Sequence, residues 1–233
     1  MLILCLDSSD RILKTAIFED EIPLAESSSD SMGNHSEKII SQIDELFSKT
    51  GRRLDDLNLL ALNTGPGSFT GLRIGASAMA GLSMSKNVPL LGFNGFEIMV
   101  EDVSGLDGSY LFTIQCRGDE FYCMHVRISG ASEDERIGPM IAVPSKIELP
   151  SDADKVEILG PGRERFLEKC PEEILHRLAA KSRFENSPTM NSLARLALDR
   201  FKAAPAAEFG IPEIYYMAPS QAEVNLARRK GNN

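Results

Sequence analysis

The sequence predicts an α/β fold, because short apolar runs that suit buried strands alternate with segments whose apolar residues recur at helical spacing. The clearest case is the apolar run at 59–63, which ends in a glycine-rich turn and leads directly into a helix. A second apolar run, at 156–159, also closes in a Gly-Pro-Gly turn. The two halves of the chain therefore look like diverged copies of one strand–hairpin–helix plan.

Length and composition limit the classes of protein to consider. A chain of 233 residues is one large domain or two small ones, and we expect domains at 1–105 and 106–233, with the last helix able to pack back on the first domain. The net charge of −9 argues against tight, independent binding of nucleic acid. The basic triplet Arg228-Arg229-Lys230 is the exception, and we interpret it as a solvated tail.

The four cysteines form no C-x-x-C pair, so neither a zinc ribbon nor a redox motif is indicated. The apolar opening at 1–6 is too short for a signal peptide or a membrane span, and it fits a strand. We therefore expect a cytoplasmic protein with no membrane association.

The first strand ends in a turn of acidic and hydroxyl residues, Asp7, Ser8 and Ser9, and a second strand returns at 15–18. This arrangement is similar to the first phosphate-binding turn of the actin, Hsp70 and sugar-kinase superfamily. Asp-Ser-Ser turns are also common as plain turns. Lys14, which the pattern places in this turn, argues against a working phosphate turn.

The stretch at 59–75 organises the first half. Ser68 or Thr70 can cap a helix that we expect to end near Ser85. Three glycines lie inside this helix and together give up ~3 kcal/mol of helix propensity. Close packing must offset that loss, either within the subunit or against a partner. Phosphate binding at the glycine-rich turn is a weaker hypothesis, because the Walker A spacing is missing. We predict a partner interface on this helix: Gly71, Arg73, Gly75, Ala78, Met79 and Leu82.

Elsewhere the pattern predicts a helix whose apolar stripe is Ile39, Ile40, Ile43, Leu46 and Phe47. It also predicts a strand at 140–143, a helix at 172–181, and a later helix that begins at Ser187-Pro188.

Catalytic constellations are missing from the sequence. His35, His125 and His176 are far apart, and no H-x-x-x-H or G-x-S-x-G motif occurs. Ser8, Ser9 and Ser68 have no identifiable histidine base. The sequence predicts no metal site and no catalytic residue, although it does not exclude a site assembled in space.

The eleven residues from Gly65 to Gly75 resemble the signature of the bacterial TsaB (YeaZ) family. The signature loop is Gly65, Pro66, Gly67, Ser68, Phe69 and Thr70. The His35-Ser36 pair and the closing stretch from Pro212 to Tyr216 also resemble family elements. Lys14, Gln115 and Met217 depart from the family pattern.

The resemblance implies a two-domain RNase H-like fold of the actin and Hsp70 superfamily. It implies a non-catalytic relative of TsaD, the subunit that joins threonylcarbamoyl to adenosine 37 of tRNA. The chain would be a scaffold that binds TsaD and supports recruitment of TsaE, with its own turn at Asp7, Ser8 and Ser9 vestigial. ATP and magnesium would be bound by the partner subunits, and tRNA would be reached only indirectly.

Other functions remain open from the sequence alone. A homodimer through the same helix face is one alternative to binding TsaD. An ATP-dependent small-molecule kinase of the same superfamily is another, and a peptidase acting on TsaD is a third.

Overall fold

The computed structural model describes residues 1–30, 35–130, 132–179, 188–203 and 210–218. Its strands form two five-stranded sheets with matching topology, β3-β2-β1-β4-β5 and β10-β9-β6-β7-β8. The strands are β1 (Leu2–Asp7), β2 (Ile12–Glu19), β3 (Ile22–Asp30), β4 (Leu57–Asn63), β5 (Leu90–Phe93), β6 (Gly108–Gln115), β7 (Phe121–Ser129), β8 (Ser132–Ala142), β9 (Val156–Leu159) and β10 (Leu178–Ala179). The α/β class predicted from the sequence is confirmed.

The helices are α1 (His35–Thr50), α2 (Phe69–Lys86), α3 (Gly95–Asp102), α4 (Arg163–Glu168), α5 (Glu172–Leu175) and α6 (Met190–Ala203). Helices α1 and α2 pack against one face of the first sheet, and α6 packs against its other face. Helix α3 lies between the sheets, because Ile98 packs in the first core while Phe96 and Met99 pack in the second.

Strand order brings the functional segments together. β1 runs parallel to β4, and β4 runs parallel to β5, so the carboxyl ends of all three strands meet at one edge. In open α/β sheets the ligand crevice lies at this edge. The turn after β1 and the glycine-rich loop after β4 are therefore neighbours.

The first-half helices agree with their sequence signals. Helix α2 begins after Ser68, whose hydroxyl accepts a hydrogen bond from the N–H of Gly71 at 3.2 Å, and it ends at Lys86. Helix α1 ends at Thr50 before Gly51, whose φ of +65° closes the helix. The predicted stripe on α1 is correct except for Ile40, which is 59% exposed on the outer face of the helix.

The helix predicted at 172–181 is wrong beyond its first turn. Helix α5 ends at Leu175, and Leu178 then pairs with Val156 as strand β10. Arg177 holds this break by donating hydrogen bonds to the carbonyls of Pro150 and, at 3.2 Å, Ala153. Strand pairing and these contacts override the local helix propensity.

The strand predicted at 140–143 is the end of a longer edge strand, β8, which begins at Ser132. The predicted cap Ser187 lies outside the described residues. Thr189 caps α6 instead, because its hydroxyl accepts from the N–H of Ser192 at 3.2 Å.

Residues 210–218, which follow α6 in the chain, have no regular secondary structure, and we call this segment the terminal strap. Ile214 packs against the first core, whereas Met217 and Ala218 pack against the second. The strap therefore touches both halves of the molecule.

Candidate functional site

The turn after β1 is buried and fully engaged with its surroundings. Asp7 is 3% exposed, and one of its carboxylate oxygens accepts from both the N–H of Ser9 at 2.9 Å and the hydroxyl of Ser9 at 2.6 Å. The Ser9 hydroxyl accepts in turn from the side-chain amide of Asn63 at 3.2 Å. Asn63 closes the network by accepting from the N–H of Gly65 at 2.9 Å.

The same turn holds the loop and helix that follow β4. The N–H of Ser68 donates to the carbonyl of Ser9 at 2.6 Å. The hydroxyl of Ser8 donates to the carbonyl of Gly71 at 2.9 Å. The predicted phosphate-turn residues Asp7, Ser8 and Ser9 thus bind the chain's own loop, so their polar groups are used structurally.

Two glycines make this close approach possible. A Cβ at Gly67 would lie 2.1 Å from the carbonyl oxygen of Ser9. A Cβ at Gly75 would lie 2.1 Å from the Ser8 hydroxyl and 2.9 Å from a methyl group of Leu6. These distances are far inside van der Waals contact, so both positions require glycine.

The residues of the predicted partner interface differ in burial. Gly71, Gly75 and Met79 are buried inside the subunit, because this face of α2 packs on the end of β1 and on the first core. The subunit itself therefore covers these three positions. Arg73 is exposed, and Ala78 and Leu82 are partly exposed.

The exposed side of the helix includes Arg73, which the sequence predicted, and three further residues that were not predicted as an interface. It carries Arg73, Ser77, Gly81 and Met84, which are all exposed and recur at helical spacing. We call this set the outer face of α2.

The signature loop is covered by the terminal strap, which the sequence did not predict. The N–H of Tyr215 donates to the carbonyl of Thr64 at 2.9 Å, just before the cis Gly65-Pro66 peptide. Within this loop Ser68, Phe69 and Thr70 are exposed at the start of α2. The ring of Phe69 lies 5.1 Å from the ring of Tyr216 in the strap.

Two clefts flank the turn after β1. The first, of about 470 Å³, lies between the turn and the start of α6 and includes Asp10 and Lys14. Lys14, which departs from the family pattern, donates to the carbonyl of Pro188 at 2.9 Å and so ties β2 to the segment before α6. Burial raises the pKa of the Asp10 carboxyl above its ordinary value.

The second cleft, of about 330 Å³, lies between the signature loop and the hairpin turn after β6. Gln115 stands at the end of β6, the place that Asp7 takes at the end of β1, and it is exposed. Among the residues that the structure describes, no cluster of histidine, cysteine and carboxylate side chains could hold a metal ion. The second half thus lacks an acidic counterpart to Asp7 at the cleft.

A serine–histidine contact was also missed from the sequence. The hydroxyl of Ser109 lies 2.7 Å from Nε2 of His125, which is 3% exposed on the next strand. Burial lowers the pKa of His125, so the ring is a neutral partner. Its Nδ1 has no hydrogen-bond partner in the described part of the chain, and neither cleft includes Ser109. The pair lacks the orienting acid and the open site that a hydrolase needs.

Two sheets of matching order, with the signature loop of the first half facing the hairpin turn after β6 across a cleft, define a protein of the two-domain RNase H-like, actin-like class. The fold agrees with a crystal structure from Pseudomonas aeruginosa described as an uncharacterized protein with similarity to peptidase YEAZ. That structure has a TM-score of 0.73 and 20% identity over 93% of this chain and 99% of the other. The YeaZ structure from the same organism has a TM-score of 0.63 and 20% identity over 87% of this chain and 92% of the other.

The family model for TsaD, tRNA N6-adenosine threonylcarbamoyltransferase, matches residues 29–225. The Escherichia coli tRNA threonylcarbamoyladenosine biosynthesis protein TsaB is 32% identical over 38% of this chain and 39% of that protein. The Bacillus subtilis TsaB protein is 28% identical over 46% of this chain and 47% of that protein. These alignments span less than half of the length of either relative. The chain belongs to the TsaB (YeaZ) family, within the TsaD-like group of proteins.

None of the described helices has the length and apolar character needed to cross a membrane.

Proposed function

We propose that the chain is a non-catalytic scaffold subunit in the synthesis of threonylcarbamoyladenosine on tRNA. In this proposal it binds TsaD through the outer face of α2 and supports recruitment of TsaE. The assembly is cytoplasmic, and ATP and magnesium are bound by the partner subunits. The chain contacts tRNA only through its partners, which suits its net charge of −9.

The observation that best supports an interface on the outer face of α2 is the environment of Gly81. A Cβ placed there would meet no atom within 4 Å, so nothing in the described part of the subunit requires a glycine. Glycine inside a helix costs about 1 kcal/mol relative to alanine. Met84, one turn further along, is 76% exposed. A small residue without an internal role beside an exposed apolar side chain fits a surface that another chain approaches closely.

The proposal that the chain is non-catalytic rests on the turn after β1. In the actin-like class this turn would wrap a phosphate, but here the N–H of Ser9 and both serine hydroxyls are bonded within the chain. Binding a phosphate at this turn would break those contacts. We expect no micromolar binding of ATP with magnesium, and calorimetry on the purified chain tests this.

The scaffold proposal is tested by titrating the chain with TsaD and measuring the mass of the complex. Gly81→Leu should weaken TsaD binding tenfold or more without lowering the melting temperature, because overpacking at an interface costs about 1–3 kcal/mol. Ala203→Leu, which adds the same bulk at the exposed end of α6, is the matched control and should bind normally. Normal TsaD binding by Gly81→Leu would reject this face. A homodimer that persists while TsaD fails to bind would favour self-association instead.

A further inference from the structure

Arg73 differs from other exposed arginines of this chain in what its guanidinium contacts. Terminal nitrogens of Arg11, Arg127 and Arg136 each reach a carboxylate within the chain, with Arg127 and Arg136 at 2.6 Å from Asp152 and Glu133. Arg73 instead donates from Nε to the hydroxyl of Tyr216 at 3.0 Å. In the described ranges, no hydrogen bond or ion pair is made by its two terminal nitrogens.

The guanidinium is nevertheless held in place. Its central carbon lies 3.8 Å from the centre of the Phe69 ring and 5.9 Å from that of Tyr216. Ring stacking on one side and the Nε contact at the edge remove most of the rotational freedom of a long side chain. Phe69 and Tyr216 are 36% and 43% exposed, so this assembly lies at the surface. The two terminal nitrogens of Arg73 form the free edge of this assembly. In an arginine, this pair of nitrogens can bind a carboxylate in a two-pronged geometry.

We infer that Arg73 is the docking point for an aspartate or glutamate of TsaD, with Phe69 and Tyr216 as the residues that orient it. This inference rests on the proposed function, because Arg73 belongs to the outer face of α2. A guanidinium that is ordered before binding loses less entropy when the carboxylate arrives. Arginine with aromatic neighbours is also the composition typical of interface hot spots.

A carboxylate is favoured over an RNA phosphate for two reasons. The chain is acidic, so its surface as a whole repels a polyanion. Phosphate binding to RNA also uses several cations together, whereas Arg73 stands on a face whose other members, Ser77, Gly81 and Met84, are uncharged. One isolated fork suits one carboxylate side chain.

The test compares dissociation constants for TsaD among four full-length variants. Arg73→Gln should weaken binding about thirtyfold or more, as expected when one partner of an interfacial ion pair is removed. Arg73→Lys should recover little of this loss, because an ammonium cannot make the two-pronged contact. Tyr216→Phe should weaken binding a few-fold by releasing Nε. Arg136→Gln, which removes an exposed charge from strand β8, should bind like the wild type.

The outcomes separate this inference from the function on which it rests. If Gly81→Leu loses TsaD binding while Arg73→Gln binds normally, the interface stands and the role of Arg73 is wrong. If Arg73→Lys binds as tightly as wild type, a two-pronged contact is wrong. If Arg73→Gln leaves TsaD binding unchanged but weakens tRNA crosslinking in the complex, the ligand is a phosphate and the inference is overturned. If the wild-type chain does not bind TsaD, the proposed function itself fails.

Discussion

The Gly-Pro-Gly loops at 65–67 and 160–162 take equivalent places in the two halves but are held differently. The first is held by the side chain of Asn63, which accepts from the N–H of Gly65, and by the carbonyl of Ser9, which accepts from the N–H of Ser68. It leads into the 18-residue helix α2. The second is held mainly through Thr113, whose carbonyl accepts from Gly162 at 2.9 Å, and it leads into the six-residue helix α4. Duplicated topology therefore does not imply duplicated function. Among the described residues, a buried acidic network and a long helix with an open outer face occur in the first half and not in the second.

The two sheets also differ in what covers them, and again the first half has the longer helix. The 16-residue helix α1 packs on the first sheet after β3. After β8, the second sheet has only a 3-10 turn, Pro144–Lys146, and a loop. That loop is held by the two-pronged contact of Arg127 with Asp152, at 2.7 and 2.6 Å. The second sheet is thus covered there by a loop that packs Ile147 into the core and is tied down by an exposed ion pair, where the first sheet is covered by a packed helix.

The largest expected effect comes from adding one methyl group to each loop. Gly67→Ala should lower the free energy of unfolding by about 3 kcal/mol or more, because the Ser9 carbonyl lies 2.1 Å from the new Cβ and belongs to the backbone. Gly162→Ala should lower it by about 1–2 kcal/mol, because its nearest atom, the N of Gln115, is 2.9 Å away. Urea unfolding of both variants checks the difference. Equal losses would mean that the two loops are equally tight.

A second pair of variants compares two glycines of α2. Gly75→Ala should lower the free energy of unfolding by about 2 kcal/mol, since its Cβ would clash with the Ser8 hydroxyl at 2.1 Å. Gly81→Ala should raise it by about 0.5–1 kcal/mol, because nothing opposes the gain in helix propensity. Thermal unfolding measures both. A destabilised Gly81→Ala would reveal an internal contact at the outer face.

A third pair compares the ends of β1 and β6. Asp7→Asn should lower the free energy of unfolding by about 1–2 kcal/mol, because an ionised acceptor bonds Ser9 more strongly than an amide. Gln115→Asn, at the exposed end of β6, should change it by less than about 0.5 kcal/mol. Denaturant midpoints at neutral pH would show the difference, and a silent Asp7→Asn would contradict the structural role of the carboxylate.

The smallest expected effect is the pH dependence of the second half. Burial depresses the folded-state pKa of His125 below the ordinary value of 6.5, so the unfolded chain binds the proton more readily than the folded chain. The stability contributed by the neutral ring is complete above pH 6.5 and is lost as the pH falls below it. His125→Gln should flatten the decrease in melting temperature between pH 7.5 and 5.5. An unchanged decrease would place the acid sensitivity elsewhere, for example in the carboxylates of the ion pairs.

The sequence was sufficient for the alternation of strands and helices and for a helix cap at Ser68 or Thr70, because these depend on local periodicity and capping chemistry. The structure shows that Ser68 is the cap. Which face of α2 packs inside the subunit depends on contacts with residues that are distant in the sequence, so local patterns could not reveal it. Gly71, Gly75 and Gly81 look alike in the sequence, but only contact with Ser8 separates the packed Gly75 from the open Gly81. The short strand β10 was missed because its pairing partner Val156 is distant in the chain. The contact between Arg73 and Tyr216 spans 143 positions, so no spacing rule could reveal it.

The path of the chain also has a mechanical consequence. The chain passes from the first sheet to the second through the loop that follows α3. Helix α6 then packs on the first sheet again, and the terminal strap reaches the second core once more. A kinase-like hinge needs one flexible crossing about which its lobes can swing. Here α3 and the strap each pack against cores on both sides, so a swing of one sheet against the other would have to break both sets of contacts. Two separate connections of this kind resist such a swing, and a fixed angle between the sheets is what the proposed scaffold role would need.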